Sequence, residues 1–155
     1  MQTWRSFGVL LLLSLGIGWA AMVVRLQPRL TYGGCGPRSL YVVSKALGSS
    51  ATESQVLRLF GDGRGLTSFA EIQSAAKRLG LRVEGRQTTG NDLRRTRPLG
   101  ILHIDNTHFV ALLGCGADAV QVADPAYAGE PRRETWSYAD LAGRWDGRIL
   151  VIERR

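Results

Sequence analysis

The chain has 155 residues, room for one domain and a short appendage, and its 45% hydrophobic and 21% charged residues are the balance of a globular protein rather than a disordered one. Its formal net charge is +7, but the basic residues are nearly all arginine and lie scattered, apart from Arg94, Arg95 and Arg97. With no interleaved aromatic residues they form no nucleic-acid strip, and an acidic partner or an anionic membrane surface suits them better. Two cysteines (Cys35, Cys115) and two histidines (His103, His108), with no Cys-x-x-Cys, exclude a disulfide scaffold and supply no metal site, so no metal or cofactor is expected.

From Phe7 to Val24 the chain carries no charge, with Arg5 before the run and Arg25 and Arg29 after it. A helix over those residues rises about 27 Å, close to the ~30 Å of a hydrocarbon core. Residues 1–25 are therefore read as an amino-terminal anchor, spanning through 7–24, and the protein as a single-pass membrane protein. The alternative is a signal peptide: Gly18 and Ala20 give a small-x-small site, and cleavage would export the domain. Against cleavage, the apolar run continues through Met22 to Val24. The charges do not settle which side of the membrane holds the domain. Residues 26–34, with Pro28 and Gly33-Gly34, read as a linker and 35–155 as the folded domain.

A helix is expected to begin at Cys35 or Gly36, with Pro37 in its first turn. It runs through Leu40, Val43 and Leu47 at helical spacing and stops at Gly48. Thr52 with Gln55 opens a short second helix through Leu59, and Ser68 with Glu71 a third through Leu79. Gly61–Gly65 is a loop without the Lys-Ser/Thr of a phosphate-binding motif. Strands follow at Leu81–Glu84, Leu99–Ile104, His108–Leu113, Ala119–Ala123 and Arg148–Ile152. Their turn-like connections are Asp105–Thr107 and Gly114–Asp118, so neighbours pair antiparallel. Ser137 caps a last short helix, Tyr138–Arg144. The fold class is α+β: amino-terminal helices packed on an antiparallel sheet, preceded by the membrane helix.

Cys35 stands where a helix amino terminus favours the thiolate, and flanking glycines admit a substrate. A nucleophilic thiol needs a base, and His108 opens a strand. The base needs an orienting group, and Asp124, ending the next strand, comes to the same end of the sheet. Each residue alone has an ordinary structural explanation; the ordered set points to a cysteine hydrolase. His103, inside a strand, reads as structural and Cys115, in a Gly-Cys-Gly turn, as incidental. In an exported domain a Cys35–Cys115 disulfide would silence the thiol. Trp136 and Trp145 read as core or groove-lining residues.

The stretches Cys35-Gly-Pro-Arg-Ser-Leu40, Ser68-Phe-Ala-Glu-Ile72, Ala76-Lys-Arg-Leu-Gly-Leu81, His108-Phe-Val-Ala-Leu112 and Asp124-Pro125 resemble the bacteriocin-processing, double-glycine leader peptidase family. The resemblance runs from about Thr31 to the carboxyl terminus. It implies a papain-like fold, a Cys35 nucleophile, a His108 base and an orienting Asp124. The implied activity is hydrolysis of a peptide bond after a Gly-Gly type leader sequence. A separate transporter is then a further partner, because no ATP-binding domain follows in this chain. Family members carry a glutamine about six residues before the cysteine, where this chain has Arg29. Gln27 is the nearest substitute as oxyanion donor, and losing such a donor costs ~10²–10³ in rate. The alternative reading is a catalytically weak papain-like module that binds leader peptides or a membrane partner without cutting. Acyl transfer on the same fold is a third.

Overall fold

The computed structural model describes residues 34–61, 67–125 and 129–155, which belong to one compact unit, Thr31–Arg155. The expected anchor at 7–24, the linker as far as Gly33, and Gln27 lie outside the described residues. Among the described residues no helix is long and apolar enough to cross a membrane.

Three helices come first: α1 (Cys35–Ala46), α2 (Glu53–Arg58) and α3 (Phe69–Arg78). Helix α1 ends at Leu47 and Gly48, the latter at φ 77°, where a side chain would be strained. Capping boxes start the next two: Thr52 accepts from the Gln55 N–H and Ser68 from the Glu71 N–H, while Gln55 and Glu71 reach back to the cap backbone. The remaining elements are β1 (Leu81–Gln87), α4 (Gly90–Thr96), β2 (Gly100–Ile104), β3 (His108–Cys115), β4 (Ala119–Asp124), β5 (Arg132–Ser137), α5 (Tyr138–Arg144) and β6 (Trp145–Arg154).

The strands form one six-stranded sheet in the order β1-β6-β2-β3-β4-β5, antiparallel throughout. One face packs on α1, α2 and α3, where Leu40, Val43, Val56, Ile72 and Ala76 meet Ile101, Phe109, Ala111 and Ile152. The other face is covered by Leu93 of α4, Leu141 of α5, Trp136 and Trp145, above Leu102, Ile104, Val110, Leu112 and Val122. Both tryptophans are therefore core residues.

The α+β class and the helices-then-sheet order match the sequence reading, with differences in detail, β1 among them running three residues past the expected Glu84. Helix α4 and strand β5 appear where none was expected. Helix α4 has one buried residue, Leu93, and is held by the Thr89 cap and by Arg94 stacked 4.3 Å from the Tyr138 ring centre. Strand β5 is an edge strand with arginines at its start, so it lacks the apolar alternation that announces a half-buried strand. Strand β6 begins three residues earlier than expected. Strand β3 extends through Cys115, which is buried in it rather than sitting in a turn.

Candidate active site

Helix α1 meets the sheet with its amino terminus against the start of β3. Cys35 is its first residue, half-buried. Gly36 behind it is buried, and a Cβ there would lie 2.8 Å from Thr67 Cγ2 and 3.1 Å from Ile72 Cδ1, so only glycine lets the helix approach this closely. The Cys35 sulfur accepts the Phe109 N–H at 3.4 Å. It also accepts the Gly36 N–H and hydrogen-bonds the His108 ring.

His108 owes its position to the turn before it. Asp105 and Asn106 both take left-handed backbone, at φ 50° and 59°, and the Thr107 N–H returns to the Ile104 carbonyl at 3.2 Å. This is the primed turn whose twist suits a tight hairpin, at residue types that tolerate positive φ. Arg144, at the end of α5, holds the turn from outside, its Nη2 2.7 Å from Asp105 Oδ2 and its carbonyl accepting the Asp105 N–H at 2.8 Å.

Asp124 ends β4, the strand next to β3, and its Oδ1 lies 2.7 Å from His108 Nε2. The two side chains are 22% and 14% exposed, so the pair is shielded from bulk water. With Nε2 committed to Asp124, Nδ1 is the ring nitrogen left for Cys35. The three expected residues thus meet in the order thiol, imidazole, carboxylate.

The electrostatics favour charge separation. Burial pushes the Cys35 thiol up, but the His108 bond, the Phe109 and Gly36 N–H groups and the imidazolium charge outweigh it, leaving the thiol below its usual 9.0. His108 is raised from 6.5 to about 9, first by its bond to Cys35 and then, against burial, by the bond and charge of Asp124. The arrangement favours the thiolate beside an imidazolium over the neutral pair.

One further residue was not anticipated. Ser39 is fully buried and its Oγ donates to the Phe109 carbonyl at 3.1 Å. It stands four residues after Cys35, so a signal existed: i and i+4 share a helix face, and a polar residue there needs a partner.

Cys115 lies at the far end of β3, six residues from Phe109 or ~20 Å along an extended strand, far beyond disulfide reach of Cys35. Its thiol is pushed up to about 11 by burial, which makes it unreactive. His103 packs against Phe109 and Phe69, with ring centres 4.9 and 5.7 Å away, and its Nδ1 accepts from Arg148 at 3.1 Å.

Residues 32–155 match the Peptidase C39 family. The chain belongs to that family. An uncharacterised protein of Methanothermobacter thermautotrophicus is 32% identical over 121 residues, which are 77% of this chain and 82% of that one. Among solved structures, the C39 domain resembles a double glycine motif protease from an AMS/PCAT transporter, crystallised with the leader peptide. The identity is 22% and the TM-score 0.66, over 79% of this chain and 85% of that one. It also resembles the peptidase domain of Streptococcus ComA, a bifunctional ABC transporter of a quorum-sensing pathway. There the identity is 20% and the TM-score 0.65, over 78% and 91% of the two chains. At those identities the structural likeness concerns the fold, that of a C39 cysteine-peptidase-like module.

Proposed function

We propose that this C39 domain hydrolyses a peptide bond, with Cys35 as nucleophile, His108 as the group that holds and returns the proton, and Asp124 as its orienting carboxylate. The observation that carries the reading is the imidazole bonded on both sides, to Cys35 and to Asp124. The thiolate sulfur attacks the scissile carbonyl carbon. The imidazolium then gives its proton to the departing amine, leaving a thioester on Cys35. Neutral His108 next takes a proton from water, whose oxygen attacks the thioester and releases the acid and the thiol. The Cys35 N–H, in the first turn of the helix, is suited to the oxyanion, with Gln27 as the candidate second donor.

The substrate we infer is a peptide with a Gly-Gly type leader, as the double glycine motif protease crystallised with a leader peptide suggests. The apolar run at 7–24 would hold the domain at a membrane, beside a separate transporter.

The test uses the full-length protein in detergent. Iodoacetamide should alkylate Cys35 near pH 6 faster than a free thiol, His108→Ala should abolish that advantage, and Cys115 should stay silent. Incubation with Gly-Gly leader peptides should give one cut, after the glycine pair, located by mass spectrometry. Rapid alkylation with tight peptide binding but no cut would favour a binding module. Alkylation no faster than a free thiol would refute the hydrolase reading.

A further inference from the structure

Three residues after Cys35, helix α1 carries an arginine whose side chain is only 12% exposed. Its guanidinium reaches acceptors in different parts of the chain. Nε donates to Glu53 Oε1 of α2 at 3.0 Å, Nη1 to the Pro125 carbonyl at 2.8 Å, and Nη2 to the Gly129 carbonyl. Two of these belong to the connection that leaves β4 directly after Asp124.

We propose that Arg38 is a positioning residue for the hydrolysis described above: from the helix that bears the nucleophile, it fixes the main chain that bears Asp124, and so the direction in which His108 is held. The proposal rests on the reading of Cys35, His108 and Asp124 as the reacting set. Pro125 makes the linkage stiff. Its ring fixes its own φ and confines Asp124 to extended backbone, so holding the Pro125 carbonyl leaves the Asp124 carboxylate little freedom. One side chain therefore ties the position of the thiol to that of the carboxylate, with the imidazole held between them.

A purely stabilising role would not require an arginine. An ion pair such as Arg38–Glu53, whose carboxylate side chain is 42% exposed, adds little stability because solvent screens the attraction. What apolar residues cannot do is donate to two loop carbonyls. A lysine, with one compact charge, cannot reproduce the planar fork that spans these acceptors. Arg38→Lys therefore separates geometry from charge, since it keeps a cation one turn from Cys35. Arg38→Met paired with Glu53→Gln removes both charges together and avoids stranding a carboxylate should Arg38→Met alone fail to fold.

The experiment compares full-length wild type, R38K and R38M/E53Q. It reads three things: thermal unfolding, the pH midpoint of Cys35 alkylation, and kcat and KM on a Gly-Gly leader peptide. We expect both variants to fold, with the alkylation midpoint moved to higher pH. We expect kcat to fall about 10- to 100-fold with KM unchanged, the scale on which a small misplacement of reacting groups acts. If a folded R38K or R38M/E53Q protein keeps the wild-type midpoint and kcat, the positioning role is overturned. If wild-type alkylation at pH 6 does not depend on His108, the hydrolase reading fails instead. The two failures are distinct because the second appears without any change at Arg38.

Discussion

Replacing Asp124 with asparagine keeps an oxygen opposite His108 Nε2 but removes the charge that the imidazolium faces. The rise of His108 from 6.5 to about 9 corresponds, at ~1.4 kcal/mol per pH unit, to about 3 kcal/mol of preference for the charged ring. Side-chain exposure of 22% and 14% keeps solvent screening modest. The Cys35 bond contributes most, burial opposes it, and Asp124 supplies a smaller share. A charge-assisted hydrogen bond of ~1.5–3 kcal/mol becomes a neutral one of ~0.5–1.5, so Asp124→Asn should cost about 1 kcal/mol of that preference. The sign follows from the direction of the shift. A raised histidine contributes stability in full below pH 6.5 and loses it as pH rises through about 9. The variant should therefore bring the alkaline limb of kcat/KM from near 9 down by about one pH unit. Cys35 is shifted the other way, so its thiolate adds stability above 9.0 and loses it as pH falls through the lowered folded value. A weaker imidazolium supports that thiolate less, and the acid limb should move up. The active pH range then narrows from both sides, as read by kcat/KM and by Cys35 alkylation across pH. An alkaline limb that stays near 9, or an acid limb that moves down, would refute the reasoning.

Two other substitutions test how α1 is seated. Gly36→Ala adds a methyl against the β-branched Thr67, 3.0 Å from its Cβ, where little can yield. Overpacking of ~1–3 kcal/mol should outweigh the ~1 kcal/mol that alanine normally gains over glycine in a helix, and urea unfolding should show a less stable protein. Greater stability would mean that the contact with Thr67 is slack. Ser39→Ala removes the buried bond to the Phe109 carbonyl and should cost about 1–3 kcal/mol in the same assay. A change within ~0.5 kcal/mol, the range of a bland surface substitution, would deny Ser39 that role.

The sequence announced the parts of this domain that follow local rules. Thr52, Ser68 and Ser137 each cap the helix expected of them, and the apolar spacing of Leu40 and Val43 marks the buried face of α1. The approach of His108 and Asp124 was legible because a hairpin brings adjacent strand ends together whatever the remaining packing. Elements stabilised mainly by tertiary contacts were not legible. Helix α4 has a single apolar anchor, Leu93, and β5 exists through its pairing with β4. Arg38 was hidden for the same reason: Glu53, Pro125 and Gly129 are remote in sequence, and no local pattern names them. Cys115 was misplaced because glycines on both sides imitate a turn, although β3 continues to it past a register shift between Leu112 and Gly114.

The start of α1 shows how completely local structure has been turned to the site. The other four helices, α2 to α5, all begin with a Ser or Thr side chain that accepts a backbone N–H. Helix α1 begins with Gly34 and has no side-chain cap. Space is not the reason, since a Cβ at Gly34 would meet nothing nearer than 3.7 Å. A capping oxygen bonds the second or third helical N–H. In α1 the third residue is Pro37, which has none, and the second is Gly36, whose N–H faces the Cys35 sulfur. The Arg38 N–H already returns to the Gly34 carbonyl at 3.3 Å. A serine or aspartate at position 34 would thus find no ordinary partner, which removes the usual advantage of a cap. Among the described residues no acceptor meets the N–H of Cys35 itself. In the proposed hydrolysis it is the backbone donor suited to the negative oxygen of the tetrahedral intermediate. In the proposed reaction the sequence Gly-Cys-Gly-Pro disposes of each amide at the helix mouth in turn: the first would serve the oxyanion, the second faces the sulfur, and the third is removed by proline.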